Sequence, residues 1–358
     1  MATASLADLR RSFPQARIDV LVRPGRDGLL EGLDCFDSLR VDDSRRGVRR
    51  VVALASELRR ERYDLALLFT NSLRSALLAR LARIPERIGY RKGGQSVLLS
   101  RRVEPVRTAD GKGWKPRPMP EIYADLCAAV GVRRGDGRPR LAVSDAQEAR
   151  ALRARRALGV DPGERLFGLA PGAAFGASKL WPVERFARLA DSLAERLGQR
   201  AIIFCGPGET AIADELSHRM ARPHVNTARQ VLGLDLMKPF VRDLSLLVTT
   251  DSGPRHIAAA FAVPAAVVMG PTDPRWTNAN LETTVVVRHD VPCGPCHLER
   301  CPLDHRCMLE ITPEEVLASI EGLFQRIAGT GTGTGTRMGL DSEQERETEG
   351  EPCHESSS

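Results

Sequence analysis

One repeated unit constrains this chain more than any single residue does. A short apolar run ends in a small, polar turn, and a helical pattern follows. Leu166–Ala170 is such a run; it is closed by Pro171-Gly172-Ala173-Ala174 and followed by an amphipathic helix over 183–197. The run 200–204 ends at Cys205-Gly206-Pro207-Gly208-Glu209. The run 244–249 passes through Asp251-Ser252-Gly253 into a helix over 256–261, before another run at 265–269. Earlier, runs at 18–22 and 64–69 alternate with helical patterns at 48–60 and 75–81, and helices are expected at 2–13, 121–130, 144–158 and 314–327. Uninterrupted apolar runs of this length, separated by helices, mark a parallel sheet with crossover helices. The predicted fold class is therefore α/β, with two Rossmann-like units, residues 1–150 and 151–328, facing a cleft. Ligands in such sheets sit beyond the carboxyl ends of the strands, so chemistry is expected in the loops that follow them.

Charge narrows the partners. Residues 329–358 hold two Arg against seven Asp and Glu, net −5, so the other 328 residues carry +11 of a chain whose net charge is +6. A body that basic favours phosphates, acidic sugars or an anionic membrane face. Aromatic residues make up only 4%, and no RNA-reading or zinc-finger signature occurs, so no nucleic-acid partner is expected. The Gly-Thr repeat and acidic end of the tail offer little apolar surface and predict disorder over 329–358. Residues 1–13 lack the apolar stretch of a signal peptide, no run approaches a membrane span, and the cysteines are clustered locally rather than spread as a secreted framework. A cytoplasmic protein is expected.

Three loops carry the candidate chemistry. Thr250-Asp251-Ser252-Gly253-Pro254-Arg255-His256 joins a strand to a helix start. Free backbone N–H groups and the positive helix end suit a phosphate there, although helix capping alone would account for an Asp-Ser-Gly turn. In 171–182, Lys179 is the only charge of an open Gly/Ala loop. It suits a diphosphate, or it is a solvated surface lysine. Glu209 could accept from a ribose hydroxyl or simply open the next helix.

In that order and spacing, Lys179-Leu180-Trp181-Pro182, Gly206-Pro207-Gly208-Glu209, Thr250-Asp251-Ser252-Gly253-Pro254-Arg255-His256 and Gly270-Pro271-Thr272-Asp273-Pro274 resemble glycosyltransferase family 9, the lipopolysaccharide heptosyltransferases. Arg87-Ile88-Gly89-Tyr90 and Thr70-Asn71-Ser72-Leu73-Arg74-Ser75 add to the likeness, which covers roughly residues 1–328 and looks closest to the heptosyltransferase II members. The resemblance implies a GT-B fold and inverting transfer without a catalytic metal. The implied reaction moves heptose from ADP-L-glycero-D-manno-heptose to the Kdo-lipid A inner core of lipopolysaccharide, at the cytoplasmic face of the inner membrane. Lys179, Glu209, Asp251, Ser252, Gly253 and His256 would hold the donor, and Arg74 and Arg91 the anionic acceptor. Another nucleotide sugar, or a non-catalytic nucleotide-sugar-binding protein, is the alternative. The family's catalytic base is an Asp in a Gly-Asp loop between a first strand and first helix. Residues 2–13 resemble that first helix with nothing before it, so the N-terminal unit is expected to lack its first strand and no catalytic residue is named. Asp8, inside the helix, is a poor substitute.

Separately, Cys293, Cys296, Cys301 and Cys307 fall within fifteen residues, with His297 and His305 among them. Four thiols can close a structural zinc or iron–sulfur site; two disulfides or free thiols are the other readings.

Overall fold

The computed structural model describes residues 1–44, 47–111 and 113–329. The expectation of a disordered tail concerns residues that, apart from Gly329, lie outside this set.

The N-terminal half runs α1 (Thr3–Ser12), β1 (Asp19–Val22), α2 (Asp27–Leu30), β2 (Ser38–Val41), α3 (Val48–Arg60), β3 (Leu65–Leu67), α4 (Leu73–Leu81), β4 (Glu86–Tyr90), β5 (Arg101–Val103) and α5 (Met119–Ala128). All its ladders are parallel: β1 pairs with β2, and β3-β4-β5 form a second sheet. Among the described residues no ladder joins β1 to β3. Both strands nevertheless feed one cluster with α1, in which Val20 and Leu67 lie against Leu6, Leu9 and Cys127.

The C-terminal half runs α6 (Asp145–Ala157), β6 (Leu166–Ala170), α7 (Val183–Leu197), β7 (Arg200–Ile203), α8 (Thr210–Arg219), β8 (His224–Asn226), α9 (Leu234–Arg242), β9 (Leu247–Thr250), α10 (Gly253–Ala260), β10 (Ala265–Val268), β11 (Thr284–Val287), α11 (Arg306–Leu309) and α12 (Pro313–Gly329). Its six strands form one parallel sheet in the order β11-β10-β9-β6-β7-β8. The apolar runs are continuous because the sheet is covered on both faces. Phe167 and Leu169 point to a core shared with Phe186 and Leu193 of α7 and Ile320 of α12. Leu166 and Ala170 point the other way, to a core with Ala151 of α6, Phe240 of α9 and Ile257 of α10. The strand order reverses between β6 and β9, so the loops after these two strands share one crevice.

The expected strands and helices are found, and several elements that the sequence reading gave no span are added to them: α2, β2, β5, α8, β8, α9, β11 and α11. Segment 87–90, quoted only as a motif, is the strand β4. The helix expected from 256 begins at Gly253, with Pro254 in its first turn, where a missing N–H costs nothing.

Helix α9 contains Pro239. Proline has no N–H to give the carbonyl four residues earlier, which is Asp235 O. The side chain of Gln147, buried in α6, supplies that bond (3.2 Å) and also donates to Gly28 O (2.7 Å), tying α2 of the first half onto the second. Gln147 is fixed by the capping box with Ser144. Beside it the buried Lys238 ammonium donates to Glu31 O at 2.6 Å, and burial lowers its pKa to about 8. Replacing Gln147 with Leu strands two buried carbonyls. The expected loss is about 2–4 kcal/mol of unfolding free energy, read by urea titration, at roughly 1–2 kcal/mol per unsatisfied group.

Candidate active site

At the crevice between β6 and β9, one carboxylate gathers four segments. Asp251 follows β9; its Oδ2 accepts from Lys179 Nζ at 2.7 Å and from Thr272 Oγ1 at 2.9 Å, and its Oδ1 accepts from Arg255 at 2.8 Å. Lys179 comes from the loop after β6, Thr272 from the loop after β10, and Arg255 from α10. Lys179 Nζ also donates to Asp251 O at 2.9 Å and lies 5.0 Å from the centre of the Phe175 ring. Arg255, 3% exposed, reaches on to Thr277 Oγ1 at 3.2 Å. Burial by itself would raise the Asp251 carboxyl; the Lys179 and Arg255 charges outweigh it and hold the group below its usual range. Burial lowers Arg255 despite its pairing with Asp251.

Two cations and one anion leave this buried cluster with an excess positive charge. Two of the three Lys179 N–H donors are directed to Asp251, and the third is available to a ligand. The first turn of α10 adds backbone N–H groups without helical partners and the positive end of the helix. Such a crevice suits a diphosphate.

Of the other expected donor residues, Ser252 and Gly253 sit at the start of α10. The Ser252 hydroxyl shares a bond with Thr249 Oγ1 (3.1 Å) and makes no cap. His256, in the first turn, is lowered to about 3 by burial and then by Arg255, so its imidazole is neutral at ordinary pH. Glu209 accepts from Gly206 N at 2.8 Å and lies against Gly172, where any Cβ would collide with its carboxylate. The Glu209 contact thus joins the β7 loop to the β6 loop. Arg74 and Arg91 are placed elsewhere, each bonded within the N-terminal half, to Ser44 Oγ (2.9 Å) and to Glu104 (3.1 Å). Asp8 is buried and occupied, accepting from Arg11 (2.8 Å) and Gly135 N (2.8 Å).

The four clustered cysteines line one cavity together with His305 and Ser178. All four are free thiols. Among the described residues no three His, Cys, Asp or Glu side chains converge as metal ligands, so the expected structural zinc at Cys293, Cys296, Cys301 and Cys307 finds no support. Burial first, and the neighbouring thiols second, raise the Cys307 pKa. The segment instead backs the Lys179 loop. Ser178 N donates to Glu299 O (3.0 Å), the His305 ring bonds Ser178 O (2.7 Å), and Trp181 Nε1 donates to Ile311 O (3.0 Å).

Sequence reading missed Arg255 and Thr272 as site residues, although both stood in the quoted motifs. For Arg255 the available signal was its spacing of four from Asp251 across the helix start, which puts the two side chains on one face.

The profile of glycosyltransferase family 9 (heptosyltransferase) matches residues 51–306. The chain belongs to glycosyltransferase family 9. Lipopolysaccharide heptosyltransferase 2 of Escherichia coli K12 is 27% identical over 348 residues, covering 90% of this chain and 94% of that protein. The structure of Escherichia coli ADP-heptose lipopolysaccharide heptosyltransferase II aligns at a TM-score of 0.72 with 25% identity, over 91% of this chain and 95% of that one. A family 9 glycosyltransferase from Veillonella parvula aligns at 0.75 with 20% identity, over 90% and 92%, and shares the fold. The family 9 chain thus has the GT-B architecture.

Removing one partner from a buried ion cluster leaves the others uncompensated. Asp251→Asn should lower the unfolding free energy by about 3–5 kcal/mol, measured by denaturant titration. Because the folded carboxyl is depressed, its contribution is present above the unfolded pKa and is lost as pH falls through the folded one. The wild-type advantage over Asp251→Asn should therefore persist through mildly acidic pH and vanish only in strong acid.

Proposed function

We propose that this chain is an inverting glycosyltransferase that moves heptose from ADP-L-glycero-D-manno-heptose to the inner core of lipopolysaccharide. The observation that carries the reading is the Lys179–Asp251–Arg255 cluster at the strand-order reversal, with its excess positive charge beside the α10 N-terminus. The names of the relatives, heptosyltransferases 2 that align over nearly their whole length, support the donor and acceptor.

In this reading residues 151–328 hold the donor and residues 1–150 the acceptor. Departure of ADP builds negative charge on the diphosphate. Lys179, aimed by Asp251 and backed by the His305–Ser178 contact, meets that charge together with the α10 N–H groups. Donors fixed in advance in a water-poor crevice stabilise such charge strongly. Neutral His256 contributes hydrogen bonding rather than charge. Glu209 keeps one carboxylate oxygen beyond its Gly206 contact for the ribose. Arg74 and Arg91, beyond β3 and β4, meet the Kdo carboxylates and phosphates. Deprotonation of the acceptor hydroxyl needs a base; Asp8, with both oxygens bonded, is not that group. The substrate is lipid-borne, which sets the work at the cytoplasmic face of the inner membrane. Among the described residues no helix is long and apolar enough to cross a membrane.

Lys179→Ala should weaken ADP-heptose binding by about 10- to 100-fold in calorimetry, the equivalent of one charge-assisted phosphate contact. Unchanged affinity would remove Lys179 from the donor site. Purified protein given ADP-heptose and a Kdo-lipid A acceptor should release ADP and form heptosylated product.

A further inference from the structure

The loop after β10 is tied to the Asp251 cluster at both ends. At one end Thr272 Oγ1 donates to Asp251 Oδ2 (2.9 Å). At the other, the Arg255 nitrogen that pairs with Asp251 Oδ1 (2.8 Å) also donates to Thr277 Oγ1 (3.2 Å). Between these anchors the chain makes a stiff arch. Asp273 accepts from Arg275 N (2.9 Å), Trp276 N donates to Asp273 O (3.2 Å), and Thr277 N donates to Pro274 O (2.9 Å). Pro274 opens the 3-10 turn Pro274–Trp276 with its φ already set by the ring.

Trp276 ends this turn, half-buried, with its side chain packed on the other half of the protein. The cluster it joins is built on Ile88 and Tyr90 of β4 and Ile122 and Leu126 of α5, with Trp114 alongside. Among the described residues, Trp276 is the one member of that cluster from the C-terminal half, and the two other apolar clusters of the N-terminal half have none. A tryptophan that served only its own fold would sit in one of the two cores of its own sheet, and it is in neither. One ring therefore meets the N-terminal core, while the next residue accepts from Arg255. Tyr90, in turn, immediately precedes Arg91, the arginine proposed for the acceptor. The second crossing between the halves, α2 on α6 and α9, has no such link: Gln147 and Lys238 bond there to the backbone carbonyls of Gly28, Leu29, Glu31 and Asp235.

We propose that Trp276 is a positioning residue that couples the two halves: a nucleoside diphosphate held at the Lys179–Asp251–Arg255 cluster fixes the 272–277 arch, and Trp276 passes that order to the Tyr90 cluster beside Arg91. This coupling rests on the reading of the Asp251 cluster as the diphosphate site. It works through order rather than a change of shape. A ligand that immobilises the cluster takes freedom from both anchors of the arch at once. A second ligand that meets an N-terminal half already ordered gives up less freedom on binding, so the two sites cooperate without touching. Such coupling is reciprocal, and an acceptor on the N-terminal half therefore tightens the diphosphate in turn.

The test is hydrogen exchange of the full chain with and without ADP, read by mass spectrometry. In wild type, ADP should slow exchange in the loops after β6, β9 and β10, and also in residues 88–91 and 119–126. Trp276→Ala should still bind ADP and keep the protection of the three loops, but lose the ADP-dependent protection of 88–91 and 119–126. Trp276→Phe, which keeps a ring, should restore most of it. With a soluble Kdo-bearing acceptor, ADP should raise acceptor affinity about fivefold or more in wild type and leave it nearly unchanged in Trp276→Ala. Should Trp276→Ala fail to fold, Thr277→Val, which keeps the ring and removes the Arg255 contact to the hydroxyl, must reduce the N-terminal protection; undiminished protection overturns the proposal. A merely structural Trp276 predicts faster exchange at 88–91 and 119–126 even without ADP, with the response to ADP intact, and that result also overturns it. So does wild-type protein that binds ADP with no effect on the N-terminal half, although the diphosphate site would then stand. Wild-type protein that does not bind ADP removes the diphosphate site itself, and the coupling with it.

Discussion

The carboxylate of Asp251 is where the loops of the C-terminal sheet are joined. It is buried, and a lone buried carboxylate would be unstable as an ion. Lys179, Arg255 and Thr272 make it tolerable, and each is delivered by a different segment. That requirement fixes three loops relative to one another: after β6, after β9 and after β10. The strand order β11-β10-β9-β6-β7-β8 supplies the geometry, since the reversal between β6 and β9 opens a crevice into which the loops after these strands lead. Two cations around one anion then leave charge for a ligand. In the proposed reading, stability and affinity depend on the same three bonds.

Around this cluster the remaining contacts serve orientation. Thr250 Oγ1 donates to Gly172 O at 2.7 Å, tying the end of β9 to the start of the Lys179 loop. From the other side, Glu299, His305 and Ile311 hold Ser178 and Trp181. The cysteine-bearing segment therefore acts on the site through hydrogen bonds to the Lys179 loop. Lysine is a flexible cation with a four-carbon stem, and a loop fixed at both flanks lessens what ordering it costs on binding.

The alternation of strands and helices was legible because burial on both faces demands uninterrupted apolar runs, as in Leu166–Ala170 and the run ending at Thr249. Short edge strands were not: Ser38–Val41 and His224–Asn226 are partly solvated and carry little apolar signal. Helix α9 was hidden by Pro239, whose cost is met only by Gln147, 92 positions earlier. At the site, Lys179 and Asp251 were legible as residues suited to phosphate, but their bond to each other was not, since it depends on which strands are neighbours. Arg255 was overlooked for the same reason: an arginine in a helix's first turn reads as solvated until a buried carboxylate is placed four residues before it. The cysteine spacing suggested a metal; spacing alone cannot say whether thiols converge, and among the described residues no three possible ligands do.

The central claim is that Asp251 aims Lys179 at a diphosphate without giving up its own bonds. A structure of the ADP complex tests this most directly. The account predicts a diphosphate oxygen within about 3 Å of Lys179 Nζ, in line with the α10 N-terminus, with the Lys179–Asp251 and Arg255–Asp251 contacts retained. A diphosphate bound away from the crevice between β6 and β9, or a Lys179 that leaves Asp251 to reach it, would contradict the account.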